Sequence, residues 1–261
     1  MELSYILADP SGNTTAFVLT PVPPALRASV ARQVMDALAA EQVAFVHDGR
    51  MDMMGGEFCG NASRSFALWQ AYAAPDGLSL LPGLPRQETV TVSGAHHPLT
   101  VSLSAKESVF HAAIQMPLPR RVLPLAESPL GACTLVEYPG ISHLVLENAV
   151  PGAEDVSHAR ALLSAHGAED GCFGLLYLSG SAMRPLVYVR DTDTLIWESS
   201  CASGTCAAAA ARALAAGSSL TLELFQPGGS LTAKATVEQG CLTALTLDGP
   251  VTFPKSGVLS F

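Results

Sequence analysis

The sequence predicts an α+β fold of two pseudo-symmetric lobes, each a mostly antiparallel, barrel-like sheet around a central helix. Three observations predict it. Two segments, "CGNASRSFA" from Cys59 and "CASGTCAAA" from Cys201, align without gaps as cysteine-headed helix starts. Around each, short runs alternate apolar and polar residues with the period of two of a half-buried strand. The order of these runs is the same in both halves. The expected division is residues 1–118, carrying the first cysteine, and 119–261, carrying the second, with the last strand free to return to the first lobe.

The elements follow in order. "LSYILAD" reads as a strand, Gly12-Asn13 as a turn and "TAFVLT" as a second strand. A helix from about Pro24 to Glu41 starts at a proline, which is tolerated in a first turn. The strand "VAFVH" leads to the Cys59 helix, which Pro75 ends. After a loop rich in Leu, Pro and Gly, the runs "ETVTVSG", "PLTVSLSA" and "FHAAIQMP" suit antiparallel strands. Met116–Pro129 is proline-rich and without period, so it reads as a crossing between lobes. The second half repeats the plan: "CTLVEYPG", "SHLVLEN", a helix near Asp155–His166, "GLLYLSG" and "PLVYVRD" lead to the Cys201 helix, which Gly217 ends. Strands around a Gly228-Gly229 turn and "CLTALTLDGPV" close the chain.

Composition narrows the function. Of 261 residues 49% are hydrophobic and 14% charged, too apolar for a disordered chain. A net charge of −9 without a basic run excludes a nucleic-acid surface. The N-terminus, with Glu2 and Asp9, does not read as a signal peptide, and the apolar stretch at Cys206–Gly217 is too short to span a membrane. A cytoplasmic protein is expected. Six cysteines are too sparse for a disulfide scaffold, and no CxxC or paired-His spacing marks a metal site.

The two helix starts carry the chemistry. Asn61 and Ser203 are favoured N-cap residues, and the small residues beside them let a ligand approach the backbone. A helix N-terminus offers unpaired N–H groups to a carboxylate, and its field is expected to lower the pKa of the cysteine before it. Cys133, Cys172 and Cys241, within strand-like runs, read as small buried hydrophobes, and Cys206 packs inside the second helix. One thiolate alone would suggest a nucleophile partnered by a histidine. Two equivalent thiols suggest instead a pair of acid–base groups that take a proton from one face of a carbon and return it to the other.

These motifs resemble the diaminopimelate epimerase family of cofactor-independent amino-acid racemases and epimerases. The resemblance extends over almost the whole chain: "SGNTTAF" (Ser11–Phe17), "CGNASRSFA", "ETVTVSG", "GISHLV" (Gly140–Val145), "CASGTCAAA", "QPGGSL" and "LDGPV". It implies Cys59 and Cys201 as base and acid, with the substrate's carboxylate and amino group at Gly60-Asn61 and Ala202-Ser203 in a cleft between the lobes and Asn13 lining the site. It implies no cofactor and no metal. The implied partner is a small-molecule amino acid, with no nucleic acid and no membrane; a homodimer is a possible assembly.

The chain departs from the epimerase where the distal head group of diaminopimelate would bind. The family's Gly-Asn-Pro-His becomes Gly140-Ile141-Ser142-His143, an expected Asn is Cys172, another falls near Arg50, and the Glu-Arg-Gly motif is best matched by Val189-Arg190-Asp191. The pattern is nearer the histidine racemases of opine-metallophore biosynthesis, with His143, Arg190, Glu198 and Glu57 as candidate side-chain contacts. The expected function is racemisation of histidine or another single-headed amino acid by a two-thiol mechanism. The alternatives are diaminopimelate epimerisation, isomerisation of an unsaturated acid on a related fold, or a catalytically silent ligand-binding relative.

Overall fold

The computed structural model describes residues 1–73, 86–106, 109–168, 171–190 and 193–261. It divides into two compact units, Met1–Gln115 with Asp248–Phe261, and Met116–Leu247. Both mix strands and helices, and strands predominate.

The first unit contains β1 (Glu2–Asp9), β2 (Thr15–Val18), α1 (Pro24–Leu38), β3 (Gln42–His47), β4 (Arg50–Met53), α2 (Gly60–Ala73), β5 (Arg86–Val92), β6 (Leu99–Lys106) and β7 (Val109–Met116). The final strand β16 (Cys241–Ser260) brings its later residues here and pairs antiparallel with β1, Glu2 opposite Ser260. Helix α1 connects the parallel pair β2–β3, as a parallel connection requires. It buries Val30, Ala31 and Val34 against Leu3, Val18, Val43 and Phe45. Helix α2 is buried from Gly60 through Leu68 and packs on β1, β5 and β6. Small residues in its first turns let strands approach on several sides.

The second unit holds β8 (Arg121–Leu125), β9 (Cys133–Tyr138), β10 (Ile141–Glu147), α3 (Asp155–Ala165), β11 (Cys172–Ser179), β12 (Ala182–Val189), β13 (Thr194–Trp197), α4 (Ala202–Ala216), β14 (Leu220–Gln226) and β15 (Gly229–Glu238). Its pairings repeat those of the first unit. An antiparallel pair (β9–β10), a parallel pair joined through a helix (β10–β11) and a second antiparallel pair (β11–β12) precede α4, as β1–β2, β2–β3 and β3–β4 precede α2. The alanines Ala207–Ala211 favour helix and keep α4 slim, so it packs on β8, β9, β10, β11, β14 and β15.

Several sequence expectations change. Met116–Pro129 is not a structureless crossing: β8 lies within it, paired with β9 along Arg121–Leu125. Its Pro124 hides the strand period, and an edge strand tolerates that residue. Strands β4 and β13, four residues each, were too short to show a period. Asn61 and Ser203 are not N-caps but lie in the first turns, because α2 begins at Gly60 and Cys201 itself caps α4. Cys172 is only partly buried and Cys241, opening β16, is exposed. The breaker Pro75, the loop after it and Asp191 lie outside the described residues.

Candidate active site

In the first unit the candidate residues converge on the start of α2. The Cys59 carbonyl accepts the Ser63 N–H at 2.9 Å and the Ser63 hydroxyl at 2.7 Å, which fixes the turn. The Cys59 sulfur accepts the Ala62 N–H at 3.4 Å, so the thiol takes the place of a capping oxygen. The Gln42 side chain donates to the same sulfur at 3.4 Å, and also to Asn13 Oδ1 at 3.0 Å and Thr15 Oγ1 at 2.8 Å. Asn61 donates to Asn13 Oδ1 at 3.2 Å, and Asn13 donates to Glu41 at 2.8 Å. Asn13, Gly60 and Asn61 therefore do gather around Cys59.

Arg64 organises the floor of this site, and sequence reasoning missed it. Its guanidinium is fully buried and donates to Asn61 Oδ1 and to the carbonyls of Pro10, Gly249 and Pro250. It thereby ties the Pro10–Asn13 turn and the returning β16 to α2. Burial lowers its pKa to about 10, while Asp248, Cys59 and Asp9 pull the other way. It stays cationic at neutral pH, a fixed positive charge beside the first thiol. Gln42 was missed too: as one polar residue at the head of an apolar strand, it carries no pattern.

The second unit repeats the geometry. The Cys201 carbonyl accepts the Thr205 N–H at 3.0 Å and the Thr205 hydroxyl at 2.7 Å. The Cys201 N–H donates to Gln226 Oε1 at 2.8 Å, whose amide in turn donates to Thr205. Ser203 Oγ lies 3.6 Å from the Cys201 sulfur and 2.9 Å from His143 Nε2. Glu198 acts on the Cys201 thiol directly, and Ala202 is buried at the first helical position. Arg190 is exposed just past β12, near Tyr188.

The expected lowering of the thiol pKa does not hold for Cys201. Burial raises it well above the ordinary value and the Glu198 carboxylate raises it further, while the Ser203 hydroxyl and the Gly204 N–H only partly oppose them. The helix field is outweighed by lost solvation and a neighbouring anion. Burial likewise lowers His143 to about 3, so its ring is neutral. Among the described residues, no group of three or more His, Cys, Asp or Glu side chains is placed to hold a metal ion.

The family model for the histidine racemase CntK N-terminal domain matches residues 2–259. The chain belongs to the histidine racemase family. It is an isomerase, an amino-acid racemase. A histidine racemase of Fusobacterium nucleatum subsp. nucleatum is 32% identical over 220 residues, 78% of this chain and 79% of the relative. In fold, the racemase is similar to a phenazine biosynthesis PhzF-family protein of Enterococcus faecalis, with TM-score 0.62, 16% identity and 100% of both chains covered. It is also similar to a hydroxyproline epimerase of Agrobacterium vitis, with TM-score 0.62, 10% identity, and 99% of this chain and 92% of that one covered. The resemblance read from the motifs is thus correct at the level of family. No helix among the described residues is long and apolar enough to cross a membrane.

Proposed function

We propose that this racemase inverts histidine through two thiols and without a cofactor, Cys59 and Cys201 exchanging the roles of base and acid. The observation that carries the reading is their equivalence. Each heads a buried helix, and each has its carbonyl bound by the hydroxyl four residues on, Ser63 or Thr205. Inversion needs one group to remove the α-proton and another to deliver a proton to the opposite face, so it needs two such groups. The raised pKa of Cys201 supports a resting thiol there, ready to donate. The first-turn N–H groups at Gly60-Asn61 and Ala202-Ser203 would hold the α-carboxylate and stabilise charge as the α-carbon loses its proton.

Histidine is favoured over diaminopimelate for two reasons. Relatives 32% and 27% identical to this chain bear the name histidine racemase. The groups left for a second zwitterionic head are also poor: Arg50 is engaged by Asp52 at 2.7 Å, and Ile141 stands where the epimerase pattern has Asn. A cytoplasmic location and a place in opine-metallophore synthesis belong to the same proposal. The test is circular dichroism of L- and D-histidine with reduced protein, with solvent deuterium incorporation at Cα. Turnover of histidine with LL-diaminopimelate inert is expected; the reverse would restore the epimerase.

A further inference from the structure

His143 stands on β10 with no solvent exposure and is neutral, so it is poorly suited to greet a substrate. What it touches is more informative. Its Nε2 lies 2.9 Å from Ser203 Oγ, which is 3.6 Å from the Cys201 sulfur. Its Nδ1 is buried without a hydrogen-bond partner among the described residues. The Nδ1–Cε1 edge of the ring is seated against Gly174 of β11, the residue opposite His143 in the parallel register. A Cβ at that position would overlap Nδ1 and come 2.9 Å from Cε1.

These facts fix a direction. A buried N–H with no acceptor is costlier than a bare ring nitrogen, so the proton belongs on Nε2 and points to Ser203 Oγ. With that lone pair engaged, the Ser203 hydroxyl can serve the sulfur in either state. It accepts from the S–H when Cys201 is a thiol and donates its own hydrogen when Cys201 is a thiolate. A residue that must be acid in one direction of racemisation and base in the other needs such a reversible partner.

We propose that Ser203, held by a His143 ring that only a glycine at 174 can seat, is a positioning residue that stabilises the Cys201 thiolate. This rests on the reading of Cys201 as an acid–base group. The other titratable groups around the sulfur are Glu198, Tyr138 on β9 and Cys206 on α4. Burial raises Tyr138, and raises Cys206 to about 12, so both stay neutral, while Glu198 is common to every variant below.

The test is the rate at which iodoacetamide alkylates Cys201 in the intact protein across about pH 7–10, read by peptide mapping. Ser203→Ala should slow the reaction about tenfold at each pH of this range. Ser203→Thr, which keeps the hydroxyl, should stay near wild type. Gly174→Ala should give the same slowing as Ser203→Ala, with no further change in the double variant. Wild-type alkylation in Ser203→Ala, or additive effects in the double variant, would overturn the proposal. Should Gly174→Ala not fold, nitrogen NMR of wild-type His143 decides: a proton on Nε2 is expected, and one on Nδ1 overturns it. None of these readouts uses substrate. If Cys201→Ser racemised at the wild-type rate, that would sink the acid–base reading and leave the hydrogen-bond chain standing.

Discussion

Cys59 and Cys201 are matched in backbone and unlike in surroundings. Cys59 receives N–H groups from Gln42 and Ala62, with the buried Arg64 charge close by, whereas Cys201 has Glu198 beside it. Cys59→Ser and Cys201→Ser should each lower racemisation by at least about a hundredfold with the fold unchanged, because a hydroxyl is a far weaker base than a thiolate. Each single variant should keep partial α-proton exchange on one enantiomer, measurable by deuterium uptake. A second residue-scale prediction concerns pH. Burial alone would raise the Asp52 carboxyl, but hydrogen bonds from His47, Arg50 and Arg27 outweigh it and hold it at about 2, against an ordinary 3.8. Its folded value lies below its unfolded one, so its contribution to stability is complete above about pH 4 and is lost as pH falls from there toward 2. The melting-temperature gap between wild type and Asp52→Asn should therefore narrow over that window.

At the scale of elements, the site depends on how the segment before α2 is held. Ser93 donates its hydroxyl to the Glu57 carbonyl at 2.8 Å, and the Met53 N–H donates to Ser93 Oγ at 2.8 Å. Gly94 follows with φ of +70°, and a Cβ there would come 2.6 Å from the Glu57 carbonyl carbon. Backbone strain and overlap act together at this position, and the atoms that must yield are main chain. Gly94→Ala should cost about 1–3 kcal/mol or more in urea unfolding. It should also lower activity by displacing Glu57 and Phe58, the two residues that lead into Cys59. Activity at the wild-type level would show that this segment does not set the position of Cys59.

For the whole molecule, strand β16 matters most, because its first residues belong to one unit and Asp248–Phe261 to the other. In the first unit that tail pairs with β1 along its length, packs Leu259 on the core and supplies two carbonyls to Arg64. A chain truncated after Leu247 should leave β1 with an open edge and the Arg64 guanidinium short of acceptors. Limited proteolysis should then cut within Met1–Gln115 while Met116–Leu247 stays protected. Equal protection of both units in the truncated chain would contradict this division of labour.

The sequence by itself determined the family, the two cysteine-headed helices and most strands, because helix starts and two-residue alternation are local patterns. It also pointed to Asn13, Asn61, Ser203 and Glu198, which stand near one or other thiol. Only the tertiary structure decided what each thiol experiences. Gln42, Arg64, Gln226 and Gly174 reach the site through pairings between distant segments, and no spacing along the chain announces such pairings. For the same reason the helix field read from sequence failed to forecast the Cys201 pKa. Desolvation and the Glu198 charge depend on what folds over the sulfur, and they outweigh the local dipole that a short stretch of sequence can reveal.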